Sequence, residues 1–472
     1  MVKKKRSHDT FAFVHVSHPD GFKDKGTQNK IRRHAMGAAG QLRLKPRRNP
    51  TIPVDIPPNM TDITNHTQQW SFERSQKHVM PHIPFLGIYP VEISNRARQL
   101  IHFIVQVAGN LHFIPFRYES YSLSIADLTA FYLYLANAAF LHNHLTQQEN
   151  STESNKYLAI CLSQVITRVE NEAPRVSPGL IYTMLGLACH EVCCVAFVPR
   201  GCRLHAKLLK THLGNWDRRA VHLDGLERAV KARGGLENID HTIALLIFWF
   251  DVAESSSRDC VPRYAVPKHL KVKPPHKVAI SSRLSSIIER LTQSGNCEIA
   301  EALKEFGILM ESIAHISHDD ELWKSSLKGA SLLTPISHSL LSMPKEMIGR
   351  DDTSSDYSVE MTRITLLIIL ARLKQTFSFP SDELIYFRER FTTLLILHSG
   401  SDVLDLELWC VVHVALIDWT HMGAYVSRID TLSKILGVEG PEQTFEIVRN
   451  IIPVDGLLSL DIAALSLRLN TP

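Results

Sequence analysis

The stretch VEMTRITLLIILARLKQTF, Val359–Phe377, decides the fold class. Its apolar residues recur at i, i+3, i+4 and i+7, the spacing of a helix face, over a window too long for a strand. The near-continuous apolar run ITLLIIL at 364–370 falls far short of the ~18 to 20 residues needed to cross a bilayer. A helix that is apolar on most sides, yet too short to span a membrane, belongs inside a helical array with neighbours on both faces.

The same period runs outward in both directions. Upstream it governs VEISNRARQLIHFIVQV (91–107), IADLTAFYLYLANAAFLHNHL (125–145), KYLAICLSQVITRV (156–169) and GLIYTMLGLACHEVCCVAF (179–197). It continues in SRLSSIIERLTQ (282–293) and EIAEALKEFGILMESIAHI (298–316), and downstream in ELIYFRERFTTLLILH (383–398), LELWCVVHVALIDW (406–419) and FEIVRNII (445–452). Start signals agree: Ser177-Pro178 offers a cap followed by proline at the first helical position, and Asp240 precedes HTIALLIFWFDVA as a second cap. Proline-bearing loops are predicted at about 255–277 and 343–358. No internal repeat of fixed period occurs, which argues against a regular solenoid.

Residues 49–90 carry seven prolines and little periodic pattern, so they read as a linker ahead of a helical region at 91–472. Before them lies a basic arm, residues 1–48, predicted to be mostly disordered. It holds thirteen Lys and Arg against three Asp, a balance of +10 in a chain whose total is +4. Clustered like charges at a terminus repel and bury poorly, so the arm reads as an interaction tail. No apolar segment follows its KKKR run, which predicts an intracellular protein with no secretory signal and no membrane span.

The eight cysteines read as reduced, and Cys189, Cys193, Cys194 and Cys202 lack the paired knuckles of a structural zinc site. No phosphate-cradling loop, nucleophile elbow or H-E-x-x-H motif occurs, so the sequence implies no catalytic residue, no metal and no cofactor. His142 and His144 point to different faces of one helix, whereas His315 and His318 could share one.

The run WDRRAVHLDGLERAVKARGGLENI, Trp216–Ile239, resembles the signature of the fungal-specific transcription factor domain, the helical regulatory region usually found behind a Zn2Cys6 cluster. The family's A-x-x-H-x-x-G-L-x-x-x-V-x-x-R-G-G-L pattern is met by Ala220 and His222 with a one-residue offset. Gly225, Leu226, Val230, Arg233, Gly234, Gly235 and Leu236 then follow in register, and Trp249 and Asp251 fit further on. In the arm, FAFVHVSHPD and NKIRRHAMGAAG look like the N-terminal segment of members without the zinc cluster. The resemblance covers the arm and about 130–260; the C-terminal half matches only in helical character. With no cysteine before Cys161, the chain cannot build the six-thiolate DNA reader.

The resemblance therefore implies a nuclear, transcription-regulator-like protein with other transcription proteins as partners, as a homo- or hetero-oligomer. Its arm would serve nuclear import or phosphate contact through Lys3, Lys4, Lys5 and Arg6, and through Lys45, Arg47 and Arg48. DNA contact would then be electrostatic. The alternatives are a co-regulator or adaptor that does not bind DNA and, behind it, a small-molecule sensor or cryptic enzyme.

Within the signature, Trp216, Ala220, Leu223, Leu226 and Val230 are expected on one buried stripe, with Asp224–Arg228 and Glu227–Lys231 pairing along the outside. The RGG at 233–235 is expected to stop the helix rather than bind RNA. Gly235 would take the left-handed position and Leu236 would fall on Val230.

Overall fold

The computed structural model describes residues 89–107, 116–146, 152–172, 176–196, 216–270, 280–317, 322–345, 354–397 and 403–470, apart from single positions 324, 378, 380, 382 and 459. The basic arm and nearly all of the proline-rich linker lie outside these residues. Among the described residues 82% are helical and none is in a strand, against roughly one-third helix in an ordinary globular domain. The all-α expectation is met.

The chain begins with α1 (Asn95–His102), continued by a π-helical turn at Phe103–Val107, then α2 (Arg117–Ile125), α3 (Leu128–Leu145), α4 (Thr152–Glu172) and α5 (Pro178–Ala196). The middle comprises α6 (Trp216–Ala232), α7 (His241–Arg258), α8 (Ser282–Gln293), α9 (Cys297–Ile316) and α10 (Ser326–Ser342). Then come α11 (Ser354–Thr376), α12 (Glu383–Leu397), α13 (Leu404–Ile417), α14 (Met422–Leu436), α15 (Gly440–Arg449), α16 (Asp455–Leu458) and α17 (Ile462–Leu469).

Caps fall where the side chains allow them. The Ser177 hydroxyl accepts from the Leu180 amide at 3.3 Å, with Pro178 first in α5, and Asp240 accepts from the amides of Thr242 and Ile243 at 2.9 and 3.2 Å. Ser94, Ser281, Ser325 and Asp461 cap α1, α8, α10 and α17 in the same way. Two loop limits shift. Ser255–Arg258 complete the last turn of α7, because Ser255 and Ser256 are buried there, and α11 takes in 354–358 at its start.

α3 packs along α2, α4 and α5, and α5 packs along α6. α7 lies on α10, and α11 contacts α10, α12 and α13. The stretch 359–377 forms most of α11, with Ile364 and Leu366–Ala371 all buried. α13 is enclosed on every face: each residue from Asp405 to Leu416 is buried, with α11, α14, α15 and α17 packed around it. No helix among the described residues is long and apolar enough to cross a membrane.

Candidate functional site

Helix α6 carries the signature. Leu223, Leu226, Ala229 and Val230 are buried, but Ala220 is exposed, and its expected place is taken by Arg219, 5% exposed. Positions 219, 223, 226 and 230 are spaced four, three and four, which keeps one face, whereas Ala220 lies about 100° further round. The apolar character of alanine suggested the wrong neighbour. A buried guanidinium is stable at 219 because Glu254 on α7 pairs with it at 3.0 Å and the Phe250 ring lies under it at 5.1 Å. The Trp216 side chain is outside the described residues.

On the adjoining face, His222 Nε2 lies 3.9 Å from Glu191 on α5. Burial, and then the Arg218 charge, lower the imidazole pKa, while burial raises that of Glu191. Both shifts favour the neutral forms, so the contact holds α6 to α5 without a strong ion pair. Outside, Glu227 and Lys231 pair at 2.6 Å, while no ion pair joins Asp224 to Arg228 among the described residues.

The helix stop at the glycines forms, one residue earlier than expected. The Gly234 amide bonds the Lys231 carbonyl and the Gly235 amide the Val230 carbonyl, both at 2.9 Å. This paired pattern makes Gly234, with φ 88°, the left-handed residue. Gly235 follows at φ 99°, ψ 176°, a region essentially reserved for glycine. The Asn238 side chain bonds the Gly234 carbonyl at 3.0 Å, and Arg233 reaches the Asn238 carbonyl at 3.4 Å. Leu236 enters the same core as Val230. Gly225 differs: a Cβ there would meet nothing within 4 Å, so no close approach among the described residues calls for glycine.

Trp249 packs edge-on to Phe116 at 5.0 Å and against Phe379 at 5.3 Å. Asp251 anchors the loop after α7 by accepting from the Arg263 and Tyr264 amides at 2.8 and 3.1 Å. His338 on α10 bonds the Tyr264 carbonyl at 2.9 Å. Burial pushes the Asp251 carboxyl up to about 6, against the pull of those two amides and of the Arg263 charge.

The sequence reading missed the charged junction below this loop. Asp259 ends α7 in the left-handed conformation, φ 46° and ψ 55°. Arg363 on α11, with its side chain 1% exposed, donates to both Asp259 oxygens at 2.9 Å and to both Glu360 oxygens at 2.6 and 2.8 Å. Lys345 pairs with Asp259 at 2.9 Å and also donates to its backbone carbonyl; Arg390 on α12 reaches Glu360 at 2.7 Å. Burial alone would raise the Asp259 pKa, but hydrogen bonds and charge from Arg363 and Lys345 hold it low. The one sequence signal was an arginine inside the apolar stretch 359–377, where an unpaired charge could not stay. Asp259 and Glu360 neutralise this core charge, so the junction ties α7, α10, α11 and α12 together.

The sequence-selected positions do not converge on one point. His222 meets Glu191, Arg233 to Gly235 form the turn, and Lys3, Lys4, Lys5, Arg6, Lys45, Arg47 and Arg48 lie outside the described residues, as does His318. Cys161, Cys189, Cys260, Cys297 and Cys410 form no disulfide among the described residues. Among the described residues no three His, Cys, Asp or Glu side chains are placed to hold a metal. No protein-family model, curated protein or solved structure matches the chain.

Proposed function

We propose that the chain is a transcription regulator that works in the nucleus through protein contacts of its helical region. Its basic arm engages import receptors or DNA phosphates, and the residues given ahead of the helices hold no cysteine for a zinc-cluster reader. The observation that carries this reading is the placement of the resemblance. Leu226, Val230 and Leu236 are buried, and Gly234 and Gly235 take conformations that favour glycine, so the pattern coincides with what a helix and its stop require. A pattern that specifies a helical scaffold fits a regulatory region better than a catalytic one. The lack of a thiolate cluster before Cys161 favours, as the second reading, a co-regulator that reaches DNA through a partner.

The test is chromatin occupancy of the tagged full-length chain beside a variant with Lys3, Lys4, Lys5, Arg6, Lys45, Arg47 and Arg48 changed to Ala. Discrete peaks for the wild type, and a cytoplasmic variant, are expected. A nuclear wild type without peaks above the untagged control, or a wild type held in the cytoplasm, would overturn the reading.

A further inference from the structure

Helix α12 is apolar on two sides, and the described fold covers one of them. Leu384, Phe387, Phe391, Leu394 and Leu395 enter the core, where α11 and α7 pack on the helix. On the outward side Ile385, Tyr386, Ile396 and Leu397 are 48%, 39%, 73% and 55% exposed. A helix that is apolar all round is ordinarily enclosed, as α13 is. Scattered single apolar residues on a surface need no explanation, but four on one stripe of one helix mark a contact surface.

The stripe has an internal symmetry. Glu389 and Thr393, both exposed, stand between the two apolar pairs. At about 100° per residue, positions 385, 386, 389, 393, 396 and 397 fall within an arc of about 120°. Turning the helix end for end about residue 391 exchanges 385 with 397, 386 with 396 and 389 with 393, so apolar falls on apolar and polar on polar. A surface that maps onto itself in this way is what a two-fold, isologous contact requires.

Charge sets the direction. Laid antiparallel, the α12 helices of two copies bring each apolar pair onto the other, and each Glu389 faces Thr393 and lies beside Arg390 of the second copy, both hydrogen-bond donors. Laid parallel in register, they would set Glu389 against Glu389, a like-charge contact that disfavours the pairing.

We propose that α12 is the contact helix of a homodimer, packed antiparallel on α12 of a second copy across a two-fold axis at residue 391. Four apolar side chains from each copy supply less than the ~800 Å² per partner of a standard interface, so the dissociation constant is expected on the order of 10–100 μM. The dimer gives the protein contacts of the proposed function a location, and it stands whether or not the chain is a regulator.

Sedimentation velocity of the full chain from about 1 to about 300 μM tests it. A monomer–dimer equilibrium is expected, weakened at least about tenfold by Ile385→Glu and by Ile396→Glu, with unchanged melting curves because both side chains already face water. An equal mixture of Ile385→Cys and Leu397→Cys chains should form more disulfide-linked dimer under oxidation than either variant alone. The two positions lie about 18 Å apart along one helix and meet only between antiparallel copies. If a glutamate variant melts lower, the cross-link decides. A monomer at the highest concentration, a dimer insensitive to both glutamate variants, or cross-linking no stronger in the mixture than in the single variants would overturn the proposal.

Discussion

Helices α6 and α7 end in the same hydrogen-bond pattern by different means. At the end of α6 the left-handed residue is Gly234, and the partners of the turn lie within eight residues of sequence. At the end of α7 the Asp259 and Cys260 amides bond the Ser256 and Ser255 carbonyls in the same way, but the left-handed residue is an aspartate. Its side chain is held by Arg363, 104 residues away, and by Lys345. One stop is set by backbone freedom and the other by imported charge. Local rules describe the first; only the assembled core describes the second.

The largest expected effect separates the two stops. Arg363→Ala leaves the Asp259 and Glu360 carboxylates buried with weaker partners and should cost about 3–5 kcal/mol in denaturant unfolding of the full chain. A cost below that of Gly235→Val would show that the α7 stop does not depend on its charges.

The loop that the α7 stop introduces should carry a pH signature. The Asp251 pKa is raised on folding from 3.8 to about 6, so the folded state retains a proton that the unfolded chain has released between those values. Its contribution is fully present below pH ~4 and is lost as pH rises through 6, a fall of roughly 3 kcal/mol at ~1.4 kcal/mol per unit. Asp251→Asn keeps an acceptor for the Arg263 and Tyr264 amides and should flatten that part of the stability curve. Unchanged curves in the variant would refute the assignment.

Gly235→Val tests the local stop. A β-branched residue at φ 99°, ψ 176° should lower stability by about 1–3 kcal/mol, read as a shift of the unfolding midpoint. If stability holds and partner binding fails, the turn is a contact surface instead.

The smallest effect runs in the opposite direction. Gly225 is in mid-helix with open space at its Cβ position, so Gly225→Ala should stabilise by about 0.4–1 kcal/mol. Stabilisation together with loss of chromatin occupancy would mean that the signature keeps this glycine for a partner.

What could be read in the sequence follows the same division. Helical period, the Ser177 and Asp240 caps and the double-glycine stop are local, and they are present in the fold. The stripe on α6 was one position off at 220, because apolarity points to alanine while burial of Arg219 depends on Glu254 and Phe250 from another helix. The junction at Arg363 is local only in part: Glu360 stands three residues before it on α11, whereas Asp259, Lys345 and Arg390 join it only after packing, and no spacing rule on one helix encodes them.

The enclosure of α13 bears on how the chain is made. Helices α11 and α12 are synthesised before residues 404–417 exist, and α11 must wait for α13 to cover its inner face. At about 5–20 residues per second that interval lasts seconds, during which Ile364 to Ala371 have no permanent neighbour on that side. Chains that end at residue 400 and are released should therefore bind chaperones and be cleaved within 359–377, whereas the full chain should resist. A message cut short before codon 404 would yield a sticky fragment rather than a smaller version of the same protein.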